Sequence, residues 1–203
     1  MLSRYIRPST ASATLPAIET EAGQRSSDVL LIQRIANGDK LAMHALFAKH
    51  RTQVYRWLLR FVGNEAQAED ILSEVFLDVW RQADRFEARS SVSTWILSIA
   101  RFKALSARRR RPEAELDETI EATLVDPSDD PALALEKKSQ GEMLRRALAD
   151  LSSDHREIID LVYYHEKSID EAAQIIGIPA ATVKTRMFYA RKKLAEIVAN
   201  SVP

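Results

Sequence analysis

The chain has no cysteine, so neither a disulfide framework nor a thiolate metal site can hold it together. Glycine and proline are scarce, at 5 and 7 in 203 residues, aromatic residues make up 7%, and runs of β-branched residues are few. This composition favours an all-helical chain over a sheet. No apolar run approaches the roughly 18 to 20 residues that a bilayer span requires, and the chain reads as a cytoplasmic protein. Neither sign of charge is in excess: Lys plus Arg and Asp plus Glu stand at 29 each, which argues against a protein that coats nucleic acid through bulk charge. His44, His50, His155 and His165 lack metal-ligand spacing with carboxylates, and no phosphate loop or nucleophile motif occurs. No enzyme chemistry, metal or cofactor is therefore expected.

What the chain does have is enough apolar matter to bury a core, at 46% hydrophobic with 29% charged residues, and room for one or two modest domains. Its charges are unevenly placed. Arg101, Lys103, Arg108, Arg109, Arg110 and Arg111 form one basic cluster and the last helix forms another, while Glu113, Glu115, Asp117, Glu118, Glu121, Asp126, Asp129 and Asp130 make an acidic stretch between them.

Residues 1–27 are rich in Ser, Thr, Ala and Pro without an apolar period, and read as a disordered extension. A first helix is expected from Asp28 to Asn37, stopping at Gly38. A second follows the N-cap Asp39 as far as Val62, and a third starts at Asn64, with Gln67 three residues on, and runs to about Ala83. These should form a compact bundle. A polar loop from Phe86 to Ser93 leads to a fourth helix from Thr94 to Arg111, ended by Pro112. Residues 112–134, acidic and proline-bearing, read as a flexible linker, and residues 135–203 as a second helical domain.

The second domain holds the most informative stretch, Ser168 to Leu194. Ser168 and Glu171 have capping-box spacing, Gly177 suits a tight turn, and a second helix opens near Pro179 with cations and no acid as far as Leu194. This is a helix-turn-helix pattern. Val183, Met187, Ala190 and Leu194 share the face that must pack inward. The opposite face carries Ala181, Thr185, Phe188, Tyr189 and Lys192, flanked by Lys184, Arg186 and Lys193. Such a face suits a major groove: cations reach phosphate, and the hydroxyl and rings meet base edges and thymine methyls.

On the third helix, Leu72, Val75, Phe76, Val79 and Ala83 point inward. Leu77 points outward among Asp70, Glu74, Asp78 and Arg81, with Trp80 at the margin. An apolar spot in an acidic rim resembles a docking patch for a basic partner helix, although the helix alone does not separate that from a lone surface leucine. The fourth helix begins with Trp95, Ile96 and Ile99 and ends in a dense run of arginines that exceeds what the helix dipole needs, and a phosphate backbone is the expected partner.

The segments Asn64 to Trp80, Ser93 to Arg101 and Val183 to Leu194, in this order and at this separation, resemble the extracytoplasmic-function (ECF) group of bacterial sigma factors in the sigma-70 family. The resemblance covers about residues 28–111 and 135–194. It implies an all-α protein of two helical domains, sigma region 2 and the helix-turn-helix of region 4, joined by the acidic linker, with core RNA polymerase and promoter DNA as partners. Asp70, Glu74, Leu77, Asp78, Trp80 and Arg81 would then bind core polymerase. Arg89, Ser90, Ser91, Trp95, Arg101, Lys103, Arg108, Arg109, Arg110 and Arg111 would bind the minus-ten element as a single strand. Ala181, Thr182, Lys184, Thr185, Arg186, Phe188, Tyr189 and Lys192 would read the minus-thirty-five element. The resemblance also implies an anti-sigma factor, wedged between the two domains. One position departs: where the group commonly has Ile-Ala-Arg-Asn, this chain has Ile99, Ala100, Arg101 and Phe102, exchanging a hydrogen-bonding amide for a ring that stacks or packs. The rival reading is a helix-turn-helix regulator that binds DNA without acting as a polymerase subunit.

Overall fold

The computed structural model describes residues 21–110 and 147–201. Arg111, the acidic linker and most of the N-terminal extension lie outside the described residues. All regular structure among those described is helical: α1 (Glu21–Ala36), α2 (Lys40–Val62), α3 (Glu65–Gln82), a 3₁₀ turn (Ala83–Arg85), α4 (Val92–Arg110), α5 (Ser153–Ile159) running into a π turn (Asp160–Tyr164), α6 (Ile169–Ile176) and α7 (Ala180–Ser201).

Local chemistry sets the helix boundaries. The Asp39 carboxylate accepts the backbone N–H groups of Leu41 and Ala42 and opens α2. Gly63, at φ 71, donates its N–H to Leu59 and closes it, a left-handed stop that glycine adopts without steric cost. Asn64 follows at once, its side chain accepting the Gln67 N–H to start α3, so two residues reverse the chain. Two boundaries differ from expectation. Helix α1 starts at Glu21, not Asp28; Asp28 is a buried mid-helix residue paired with Lys49 at 2.6 Å and His50 at 3.1 Å. Helix α4 starts at Val92, not Thr94, because Ser91 caps it by accepting the Thr94 N–H, and Val92 is buried.

In the first module Ile32 and Ile35 of α1, Leu46, Val54, Trp57 and Leu58 of α2, Val75 and Val79 of α3, and Ile96 and Leu97 of α4 are buried. In the second, Ile158, Leu161, Ala172, Val183 and Ala190 are. These residues belong to one continuous apolar cluster. The sequence reads as two modules on a tether, whereas in the structure α6 packs on α4 and the two modules share a core.

Candidate nucleic-acid interface

The helix-turn-helix is built as its sequence dictates. Both halves of the capping box are formed: Ser168 accepts the Glu171 N–H and Glu171 Oε2 accepts the Ser168 N–H. Gly177, at φ 75, sends its N–H to Ala173 and turns the chain. The Pro179 carbonyl accepts the N–H groups of Thr182 and Val183 as α7 begins. Val183, Met187 and Ala190 are buried and Leu194 is half-buried, so the opposite face is open. It presents Ala181, Lys184, Thr185, Phe188, Tyr189 and Lys192, with Thr182 half-buried at its edge. The rings of Phe188 and Tyr189, 59% and 54% exposed, meet edge to face at 5.5 Å. Thr185 lends its hydroxyl to the Ala181 carbonyl at 3.0 Å. Arg186 is drawn aside, its Nη1 held 2.9 Å from the Asp154 carboxylate on α5.

Helix α3 keeps its inward face in the core and leaves Leu77 47% exposed. Asp70, Glu74 and Arg81 are exposed, and Asp78 and Trp80 half-buried, around it. Trp80 lines a shallow cavity of about 290 Å³ with Lys40, Met43 and His44. Lys103 departs from its expected grouping with the strand-facing cations: it lies on the α3 side of α4, 2.9 Å from Asp78 and 3.4 Å from Glu74. The hydrogen bond to Asp78 raises its pKa, so Lys103 remains charged there. The acidic rim around Leu77 is therefore partly neutralised from within the fold.

The loop before α4 is anchored by Phe86, whose ring lies 5.0 Å from that of Trp95. Beside it, Arg89 pairs with Glu87 at 2.6 Å, Ser90 is half-buried, and Ala88 takes a positive φ of 54. A cavity of about 590 Å³ opens between this loop and α1, lined by Phe86, Glu87 and Ala88 among others. Farther along α4, Phe102 is 65% exposed. Arg108, Arg109 and Arg110 are exposed at its end, Arg108 lying 5.8 Å over the Phe61 ring.

Ser91, Thr94 and Arg101 instead face the second module. Glu157 takes Arg101 in a fork, Nε to Oε1 at 2.7 Å and Nη2 to Oε2 at 3.3 Å. The hydroxyls of Ser91 and Thr94 donate to Glu171 Oε1 at 2.9 and 2.8 Å, and Lys167 Nζ donates to Ser93 at 2.6 Å. At the far side of the interface Arg60 pairs with Asp160, donates to His165 Nε2 at 2.8 Å, and lies 4.8 Å over the Tyr164 ring. Because arginine can only donate, His165 Nε2 accepts there. Sequence reasoning missed Arg60, Glu157, Asp160 and Lys167. The signal is two acids, Glu157 and Asp160, set one helical turn apart inside the apolar run Ile158, Ile159 and Leu161: burial at that spacing demands partners.

Burial pushes the Glu171 carboxyl up, but the Thr94 hydroxyl, the Ser168 backbone, the Ser91 hydroxyl and the Lys167 ammonium outweigh it and bring the pKa from 4.5 to about 2. A depressed carboxyl stabilises the fold fully above its unfolded value and loses that effect as pH falls through the folded one. Glu171 should therefore support the fold undiminished above about pH 4.5 and progressively less towards pH 2. Thermal unfolding of the parent chain and of Glu171→Gln at pH 5 and pH 3 checks this: the difference between them should shrink at pH 3, and a constant difference would refute it.

Residues 46–112 match the family described as Sigma-70 region 2, and residues 141–194 that described as Sigma-70, region 4. The chain is 30% identical over 164 residues to the ECF RNA polymerase sigma factor SigL of Mycobacterium tuberculosis, covering 78% of this chain and 90% of that one. It is 27% identical over 172 residues to the ECF RNA polymerase sigma factor SigW of Bacillus subtilis, covering 80% and 92%. Among solved structures, the sigma factor RpoE of Bartonella quintana, in complex with the anti-sigma factor NepR, superposes with a TM-score of 0.57 at 26% identity, covering 76% of this chain and 95% of that one. CnrH, solved with the cytosolic domain of CnrY, shares the fold at a TM-score of 0.63 and 22% identity, over 86% and 99% of the two chains.

Proposed function

Because this chain belongs to the ECF group of sigma-70 factors and serves as an RNA polymerase sigma factor in transcription initiation, we propose how its side chains divide that work. The observation that carries the proposal is the open face of α7, where Thr185, Phe188 and Tyr189 stand exposed on a helix that follows the capped α6 and its glycine turn. This face reads the minus-thirty-five duplex: Thr185, Phe188 and Tyr189 meet base edges, Lys184 and Lys192 meet phosphate, and Ala181 and Thr182 let the helix approach. Arg186, tied to Asp154, steadies α7 on α5 and reaches DNA only by leaving that partner.

The first module handles polymerase and the melted strand. Leu77, with Asp70, Glu74, Asp78, Trp80 and Arg81 around it, docks on core polymerase. The loop with Arg89, Ser90 and Ser91, and α4 with Trp95, Arg101, Arg108, Arg109 and Arg110, holds the minus-ten strand, together with Arg111, which follows in the sequence. Lys103 braces α3 against α4 rather than touching DNA. Extruding a base costs a few kcal/mol, and stacking returns about 1 to 3 kcal/mol per base, so melting needs the anchor that the duplex reader and polymerase provide. Phe102 offers such a stacking surface. The chain acts as a regulatory subunit in the cytoplasm; no helix among the described residues is long and apolar enough to cross a membrane. The resemblance to RpoE solved with NepR supports an anti-sigma factor as a further partner. To sit between the modules it would have to displace Glu157, Lys167 and Glu171 from α4.

Run-off transcription with core polymerase on a library of minus-thirty-five variants tests the reading. Thr185→Ala and Phe188→Ala should each change which sequences are used, by about 1 to 3 kcal/mol at the contacted base. An equal loss on every promoter would mean that these residues only hold the helix in place.

A further inference from the structure

Trp95, Phe102 and Arg109 follow one another along α4 at intervals of seven residues. Two turns of helix return a side chain to nearly the same bearing about 10 Å further on, so the three stand in line. The line starts at the half-buried Trp95, packed on Phe86, and ends at the exposed Arg109. Midway, Phe102 is 65% exposed, more than any other aromatic ring among the described residues. The polar side chains within one turn of it on α4 are turned elsewhere. Ser98 gives its hydroxyl proton to the Thr94 carbonyl at 2.9 Å, and Ser106 takes Arg109 Nη2 at 3.4 Å. To either side, Arg101 faces Glu157 of the second module and Lys103 faces Asp78 of α3. What α4 offers at this level is the face of a ring, which neither donates nor accepts a hydrogen bond.

We propose that Phe102 is a sequence-blind platform: it stacks on one base of the minus-ten strand and holds it unpaired whatever its identity, so that this promoter position contributes to opening without being read. Every base has a π-face, and the free energy of stacking on an aromatic ring depends little on which base supplies it. An asparagine, common at this place in the group, can hydrogen-bond one base edge in preference to another; the ring gives up that choice and keeps the adhesion. The proposal rests on the strand-holding role of α4 and goes beyond it, since it names a position at which the minus-ten element of this factor tolerates all four bases.

An abasic scan tests it. Holoenzyme assembled from the full chain and core polymerase is titrated onto a labelled promoter template whose minus-ten segment is premelted by mismatches, with anisotropy as the readout. Each unpaired nucleotide is replaced in turn by an abasic unit and by each of the other three bases. With the parent chain, one position should lose about tenfold in affinity when its base is removed, the size of a single base-on-ring stack, yet vary by less than about threefold among the four bases. Phe102→Ala should erase that abasic penalty and leave those elsewhere, and Phe102→Trp should retain it. Because the ring is exposed, the melting temperature of either variant should match the parent's. An unchanged penalty in Phe102→Ala, or a preference above about threefold for one base at the position it controls, overturns the platform. The underlying strand role is read from Arg109→Ala/Arg110→Ala, which should weaken binding evenly at all positions and flatten its salt dependence. If it does so while Phe102→Ala changes nothing, α4 holds the strand without this platform. If neither variant weakens binding, the strand role and the platform fall together.

Discussion

Leu77→Asp should cost the chain its grip on core RNA polymerase, by about a hundredfold or more, while leaving its melting temperature nearly unchanged. The two effects separate because of where α3 aims its side chains. Val75, Phe76 and Val79 are buried, and Leu77, on the opposite side of the helix, is 47% exposed. Substitution at such a position usually moves stability by no more than about 0.5 kcal/mol. At the interface the same change removes an apolar anchor and places a carboxylate where water is excluded, which costs several kcal/mol unless a partner meets it. The rim is not free to compensate: Asp78 and Glu74 are engaged by Lys103. Anisotropy of labelled chain titrated with core enzyme gives the affinity, and circular dichroism the melting curve. Normal binding by a folded variant would remove Leu77 from the interface.

Trp57→Ala should have the opposite profile, unfolding the first module without touching a contact surface. Trp57 is 1% exposed at the centre of α2, stacked on Phe61 at 4.8 Å, with Arg108 of α4 over the Phe61 ring. Truncating a buried aromatic to alanine costs about 3 to 5 kcal/mol, through lost transfer energy and the cavity left behind. Small domains have a total stability of only about 5 to 15 kcal/mol. Urea unfolding followed by far-ultraviolet circular dichroism should show a fall of this size in unfolding free energy. A loss below about 1 kcal/mol would mean that the core collapses around the gap more completely than close-packed interiors do.

These two residues also mark what the sequence makes legible. Helix faces with a clear apolar period, such as Val183, Met187 and Ala190, or Val75, Phe76 and Val79, lie where the period puts them, because hiding an apolar stripe from water does most to orient a helix on its neighbours. Caps are legible for a similarly local reason: Asp39, Asn64 and Ser168 each carry an acceptor suited to the free N–H groups of a first helical turn. The contact between modules is not legible. Its polar members have partners 56 to 105 positions away, as in Arg101 with Glu157 and Arg60 with His165. Nothing in a one-dimensional pattern distinguishes an arginine that will meet phosphate from one that will meet a glutamate. Charge alone groups Lys103 with its basic neighbours, but its position on the helix turns it towards α3 instead.

Glu171 carries a burden that no single bond distance expresses. Its Oε2 takes the backbone N–H at the start of α6, and its Oε1 takes hydroxyls from the first turn of α4. Two helices thus aim their positive ends at one carboxylate. Neutralising that charge leaves like poles facing each other at close range, so the junction would pass from attraction to repulsion. That local repulsion would act against the Arg101–Glu157 and Arg60–Asp160 pairs and the shared apolar core, so Glu171 works as a counter-charge at one corner of a seam that other contacts also close.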